Sequence, residues 1–99
     1  MNKSSLLHVR VSGVSALRDV IGKETLVVLQ GNSTLGDLLI KLEEEFGSAY
    51  MQKVGEKLEG SLRRRYYVLY NGQVMPPEKN LDKTLSDNDE LLFFQWTGA

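Results

Sequence analysis

ELLFFQWTGA, residues 90–99, contains the apolar run Leu91-Leu92-Phe93-Phe94, the only tryptophan and a Gly98-Ala99 end. Successive side chains of a strand point to opposite faces, so a run that is apolar at every position presents two apolar faces and needs two partners. If Leu91 and Phe93 enter the core, Leu92, Phe94 and Trp96 line a second, open face that leads directly to the C-terminus. A bare aromatic patch of this kind is uncommon on a lone domain and marks a docking surface, unless another part of the chain covers it. The alternatives are that the segment 48–65 covers these side chains or that the set is simply core.

Upstream, LLHVRVS (6–12) alternates Leu7, Val9 and Val11 with Leu6, His8 and Arg10, the period of a strand with one buried face. Gly13 ends it, the short segment SALRDVIG follows, and ETLVVLQ (24–30) reads as a second strand paired with the first. After Gly31-Asn32-Ser33, Thr34 provides an N-cap and Asp37 a first-turn carboxylate, so a helix starts at Leu35. Leu35, Leu38, Leu39, Leu42 and Phe46 form its apolar stripe, Lys41 and Glu43-Glu44-Glu45 its wet side, and Gly47 reads as its C-cap.

Residues 48–65 are polar and contain Gly55 and Gly60, which predicts a connector with one short helix around Tyr50–Leu58. YYVLY (66–70) is a third strand, and Asn71-Gly72 is the positive-φ pair of a tight hairpin into Gln73-Val74-Met75. Pro76-Pro77 close that strand, and Ser86-Asp87-Asn88-Asp89 turns the chain into the final strand, ELLFFQW. These elements predict an α+β fold: a mixed sheet of four to five strands packed on one main helix, with the other face open.

A chain of 99 residues that is 41% hydrophobic has room for one core, so residues 1–99 are expected to form a single domain with a tail at 95–99. The formal net charge of −1 gives no overall attraction to nucleic acid or anionic membrane. With no cysteine, disulfides, thiolate zinc sites and cysteine nucleophiles are excluded. The opening MNKSS is not followed by an apolar signal segment, and no stretch approaches the roughly 18 apolar residues of a spanning helix. The expectation is a soluble, cytoplasmic protein with no membrane partner.

Arg63-Arg64-Arg65 before Tyr66-Tyr67 has the composition of a single-strand nucleic-acid patch, but three charges in a near-neutral chain fit a solvated loop better, so no nucleic-acid partner is expected. The same arginines suit an acidic partner. His8 has no second ligand at metal spacing, and the Asp87–Asp89 turn lacks the downstream glutamate of a calcium loop. No metal site is expected. Nor do the glycines at 31, 47, 55 and 60 form a phosphate-binding spacing.

The order of segments, with ALRDVIG (16–22), STLGDLLIKLEEEFG (33–47), YNG (70–72) and LSDNDELLFF (85–94), resembles the MoaD/ThiS-like β-grasp sulfur carriers: the molybdopterin synthase small subunit, the thiamine sulfur carrier and the ubiquitin-related modifiers. The resemblance implies a ubiquitin-like β-grasp fold and a carrier rather than an enzyme. It implies that an adenylating, E1-like partner uses ATP to activate the C-terminal carboxylate, with no cofactor bound by the carrier itself. The product is a thiocarboxylate or a bond to a lysine. It places the activated end at Gly98-Ala99 and matches Phe94 to an aromatic that helps dock the partner enzyme, so that Leu92, Phe94 and Trp96 on the open face are the expected partner-binding residues, with the molybdopterin synthase large subunit as a further partner. The missing cysteines fit, because such a carrier holds sulfur on its own terminal carbonyl.

The tail departs from the family pattern. It ends Gly-Ala in place of Gly-Gly, lacks a proline pair after the last strand aromatic, and has five residues after Phe94 where close relatives have six. The alanine methyl narrows the φ,ψ range open to a terminal glycine, and one residue fewer shortens the extended reach by roughly 3.3 Å. The alternative reading is a non-conjugated ubiquitin-like interaction module with an inert tail.

Overall fold

The computed structural model describes residues 5–95. Its elements are β1 (Leu6–Gly13), α1 (Ser15–Ile21), β2 (Thr25–Gln30), α2 (Leu35–Val54), α3 (Leu58–Arg64), β3 (Tyr67–Tyr70), β4 (Gln73–Met75), a 3₁₀ turn (Pro77–Lys79) and β5 (Glu90–Phe94). The strands form a five-stranded mixed sheet in the order β2-β1-β5-β3-β4. β1 runs antiparallel to β2 and parallel to β5, while β3 is antiparallel to both β5 and β4. This is the α+β β-grasp arrangement expected from the sequence.

Alternation decides which side of the sheet meets the helices. Leu7, Val9 and Val11 of β1, Val27 and Leu29 of β2, Val68 of β3, and Leu91 and Phe93 of β5 all face inward and are buried. They meet Leu35, Leu38, Leu39 and Leu42 of α2, with Leu17 and Ile21 of α1 and Leu58 and Leu62 of α3 completing the same core. Each fully buried leucine or phenylalanine contributes about 1.5–3 kcal/mol relative to its exposed state. The hairpin turns as expected, with Asn71 at φ 47° and Gly72 at φ 89°.

The start of α2 is built as its sequence predicts. Thr34 Oγ1 accepts from the Asp37 N–H at 3.3 Å, and Asp37 Oδ2 accepts from the Thr34 N–H at 2.9 Å, a reciprocal cap. The free amides of Leu35 and Gly36 donate to the carbonyls of Lys83 and Leu81, which pins the loop before β5 onto the helix.

Gly47 is not the C-cap. α2 continues to Val54 and stops at Gly55, which adopts φ 85° and sends its N–H to the Met51 carbonyl. Gly47 is instead a buried packing position, where an added Cβ would fall 2.2 Å from Glu43 Oε2. That space lets the Glu43 carboxylate reach across and accept the Glu59 N–H at 2.9 Å, satisfying an amide in the first turn of α3. Glu43 therefore leaves the wet side assigned to it.

The connector also differs from expectation. No separate helix spans Tyr50–Leu58: Tyr50 extends the α2 stripe and is buried, while α3 begins where that helix was expected to end. Tyr50 Oη and Tyr66 Oη lie 3.3 Å apart inside, and burial pushes the Tyr66 hydroxyl pKa up. The segment SALRDVI, given no element from sequence, is the helix α1. β5 ends at Phe94, short of the expected Trp96, which lies outside the described residues.

Candidate functional site

The outward face of the sheet is built by the residues that alternate with the core. On β5 these are Glu90, Leu92 and Phe94, and the register places Leu92 beside Ser12 of β1 and Leu69 of β3. Phe94 lies opposite Tyr67, and the two rings stack with centroids 6.1 Å apart and planes at 28°. Leu69 in turn faces Val74 of β4. The result is an apolar zone of Leu92, Phe94, Tyr67, Leu69 and Val74, in which Leu92 and Phe94 are half-buried while Tyr67 and Val74 are 40% and 56% exposed. Buried Phe93 next door is 0% exposed.

The predicted split of the final strand is therefore present: Leu91 and Phe93 go in, Leu92 and Phe94 go out. The 48–65 segment does not cover the outer pair, because α3 packs against α2 and the 3₁₀ turn. Trp96, Gly98 and Ala99, the other predicted site residues, lie outside the described residues. Tyr67, Leu69 and Val74 were missed at the sequence level. Their signal was present, since residues equidistant from the Asn71-Gly72 turn pair across the hairpin and alternation from buried Val68 sends Tyr67 and Leu69 outward.

A polar border adjoins this zone. Arg10 is ion-paired with Glu90 and lies 3.6 Å from Glu24, beside a shallow hollow of about 490 Å³ that reaches Leu69 and Leu92. These exposed pairs add little stability and place the guanidinium next to the apolar zone.

Below it, buried Asp89 anchors the entry to β5. Its carboxylate accepts from Tyr70 Oη at 2.5 Å, Asn71 Nδ2 at 3.0 Å and the Ser86 N–H at 2.8 Å. Burial, reinforced by Asp89, pushes the Tyr70 hydroxyl pKa up to about 12. Asn71 Oδ1 accepts the Glu90 N–H at 2.8 Å, so one turn fixes both β3 and β5.

The remaining candidates are taken up by local pairing. Asp87 Oδ1 accepts the His8 N–H at 2.7 Å and lies 3.0 Å from His8 Nδ1. The backbone bond, then the imidazole contact, holds the Asp87 carboxyl below the usual carboxylate range. Among the described residues no three His, Asp or Glu side chains converge as a metal site. Two of the three arginines are engaged locally, Arg63 with Glu59 and Glu78 and Arg65 3.3 Å from Glu56, and Tyr66 is buried. No helix among the described residues is long and apolar enough to cross a membrane.

A five-stranded β-grasp sheet with its helices on one face and the Tyr67–Phe94 stack on the other defines a ubiquitin-like small protein. The chain belongs to the ThiS family, whose profile matches residues 14–98. It is a small ubiquitin-like sulfur carrier or modifier, of the kind that acts with activating enzymes and partner subunits.

Solved structures share the fold. The Haloferax volcanii HVO 2177 protein superposes with a TM-score of 0.72 at 20% identity, covering 100% of this chain and 92% of that one. Small archaeal modifier protein 1 of H. volcanii gives 0.67 at 24% identity, covering 90% and 97%. A putative molybdopterin converting factor subunit 1 of Pyrococcus furiosus gives 0.66 at 19% identity, again covering 90% and 97%. No curated protein sequence matches the chain.

Proposed function

We propose that this protein carries sulfur on its C-terminus after adenylation by an ATP-using, E1-like enzyme, and delivers it in molybdopterin biosynthesis. The Ala99 carboxylate attacks the α-phosphorus of ATP on the partner and pyrophosphate leaves. A hydrosulfide-equivalent nucleophile supplied by the partner then displaces AMP from the acyl carbon, leaving a thiocarboxylate. The carrier contributes position, not acid-base chemistry, and binds no cofactor of its own.

The observation that carries this reading is Phe94, half-buried on Tyr67 as the last residue of β5. Aromatic side chains that are preorganised by stacking bind a partner with little further loss of freedom. Leu92 and Trp96 complete the predicted grip, Gly98 and Ala99 supply the reacting end, and the molybdopterin synthase large subunit is the receiving partner. A cytoplasmic location suits this role.

The test is to incubate the chain with ATP, a sulfur donor and its cognate activating enzyme, then measure the intact mass and the C-terminal peptide mass. A terminal adenylate or a sulfur-for-oxygen gain is expected. An unmodified terminus with a demonstrably active enzyme favours the inert interaction module. Ala99→Gly is expected to raise kcat/KM for activation, because removing the methyl widens the conformations open to the reacting end.

A further inference from the structure

The two edges of the sheet are defended unequally. β4 is three residues long and runs into Pro76-Pro77, and a short edge closed by prolines resists further pairing. β2 is six residues long, TLVVLQ, with no charge, no proline and an unbroken register against β1.

Its backbone polarity follows from neighbouring bonds. The Gly31 N–H donates to the Ser5 carbonyl at 2.8 Å, one step beyond the last pair of the ladder. In an antiparallel ladder this turns the backbone groups of Thr25, Val27 and Leu29 toward β1 and those of Leu26, Val28 and Gln30 away from it. β1 agrees, because its alternate residues His8 and Arg10 use their backbone groups on the opposite side, toward Asn88 and Asp89. The Gln30 carbonyl accepts from the Ser33 N–H at 3.1 Å. The N–H and C=O groups of Leu26 and Val28 meet no backbone partner among the described residues. Their side chains are 56% and 42% exposed.

We propose that β2 pairs antiparallel with β2 of a second copy of this chain, about a twofold axis through Val27. In that register Leu26 lies opposite Val28 of the other copy, and the reverse, so the free groups form four N–H···O=C bonds. Both exposed apolar side chains gain a cross-strand neighbour. Glu24 meets Gln30 of the other copy, so no charge faces a like charge. Shifting the axis to Val28 would place Leu26 against Gln30, whose carbonyl is already engaged.

An edge pairing of six residues a side falls short of the roughly 1,200 Å² of a stable interface, so the dimer is weak and forms at high concentration. It leaves the outer face at Leu92 and Phe94 uncovered, because β1 stands between β2 and β5.

Sedimentation velocity on the full chain from about 10 µM to about 1 mM, the range where weak contacts of this size populate, tests the pairing. The 11.1 kDa chain is expected to rise toward twice that mass. Leu26→Lys places a charge in the apolar pair, and Val28→Pro removes an outward N–H. Each is expected to weaken association at least about tenfold. Leu26→Lys changes an exposed side chain and keeps the fold, so it decides the matter even if Val28→Pro unfolds. Because the chain has no cysteine, mixing Leu26→Cys with Val28→Cys chains under mild oxidation is expected to give mainly the mixed disulfide. A monomer across the whole range overturns the proposal, as does a dimer indifferent to Leu26→Lys, a preference for same-residue disulfides, or pairing of β2 only with an unrelated extended peptide.

Discussion

Phe93 and Phe94 are neighbours on β5, yet one is sealed beneath the helices and the other lies half-exposed against Tyr67. The same contrast runs across the sheet, from Val68 under the helices to Leu69 on the open side. Side chains of similar chemistry acquire different roles because a strand reverses direction at every residue. The inner set stabilises the fold, and the outer set is left available to another molecule.

The contrast can be broken by substitution, and the largest effect belongs to the inner face. Phe93→Ala is expected to cost about 3–5 kcal/mol in chemical denaturation, from lost burial and the cavity it leaves. A loss below about 1 kcal/mol would mean that Phe93 does not fill the core. Next comes the anchor beneath both faces. Asp89→Ala strands Tyr70 Oη, Asn71 Nδ2 and the Ser86 N–H, an expected loss of about 2–4 kcal/mol, and it lowers the Tyr70 hydroxyl pKa from about 12 toward its ordinary value in an absorbance titration. Thr34→Ala removes half of the reciprocal cap on α2 and is expected to cost about 1 kcal/mol by the same denaturation.

Smaller again is a pH effect. Asp87 has a folded pKa below its unfolded value, so its contribution is present above about pH 4 and is lost as pH falls through the folded pKa. Asp87→Asn should flatten the acid limb of the stability-pH profile while leaving its neutral side nearly level. An unchanged acid limb would remove the tie between Asp87 and β1. On the outer face Phe94→Ala should cost well under the Phe93→Ala loss, less than about 1.5 kcal/mol, because the side chain is only half-buried.

Much of this architecture was legible before any coordinates. The alternation of Leu7, Val9 and Val11, the Thr34–Asp37 cap and the Asn71-Gly72 turn are local signals, and each element begins where they place it. The inner and outer sets of β5 followed from the double apolar run. What failed was non-local. Gly47 has the local character of a C-cap, but its role is set by Glu43 reaching the amide of Glu59, sixteen residues further on in α3. The continuation of α2 had a signal in Tyr50, which extends the Leu42–Phe46 spacing by one more turn, and α3 had one in the Leu58–Leu62 pair. Polar composition in the segment 48–65 obscured both. Of the candidate site, Leu92 and Phe94 were found from periodicity and Tyr67, Leu69 and Val74 required the hairpin register.

Under the proposed function, the outer face of β5 is the grip for an activating partner. Its most direct measurement is the rate of ATP-dependent C-terminal activation by the cognate enzyme for wild type and Phe94→Ala, with unfolding midpoints recorded in parallel. The expected result is a KM raised about tenfold or more for the variant while it remains folded at the assay temperature. Equal KM values for the two folded proteins would contradict it.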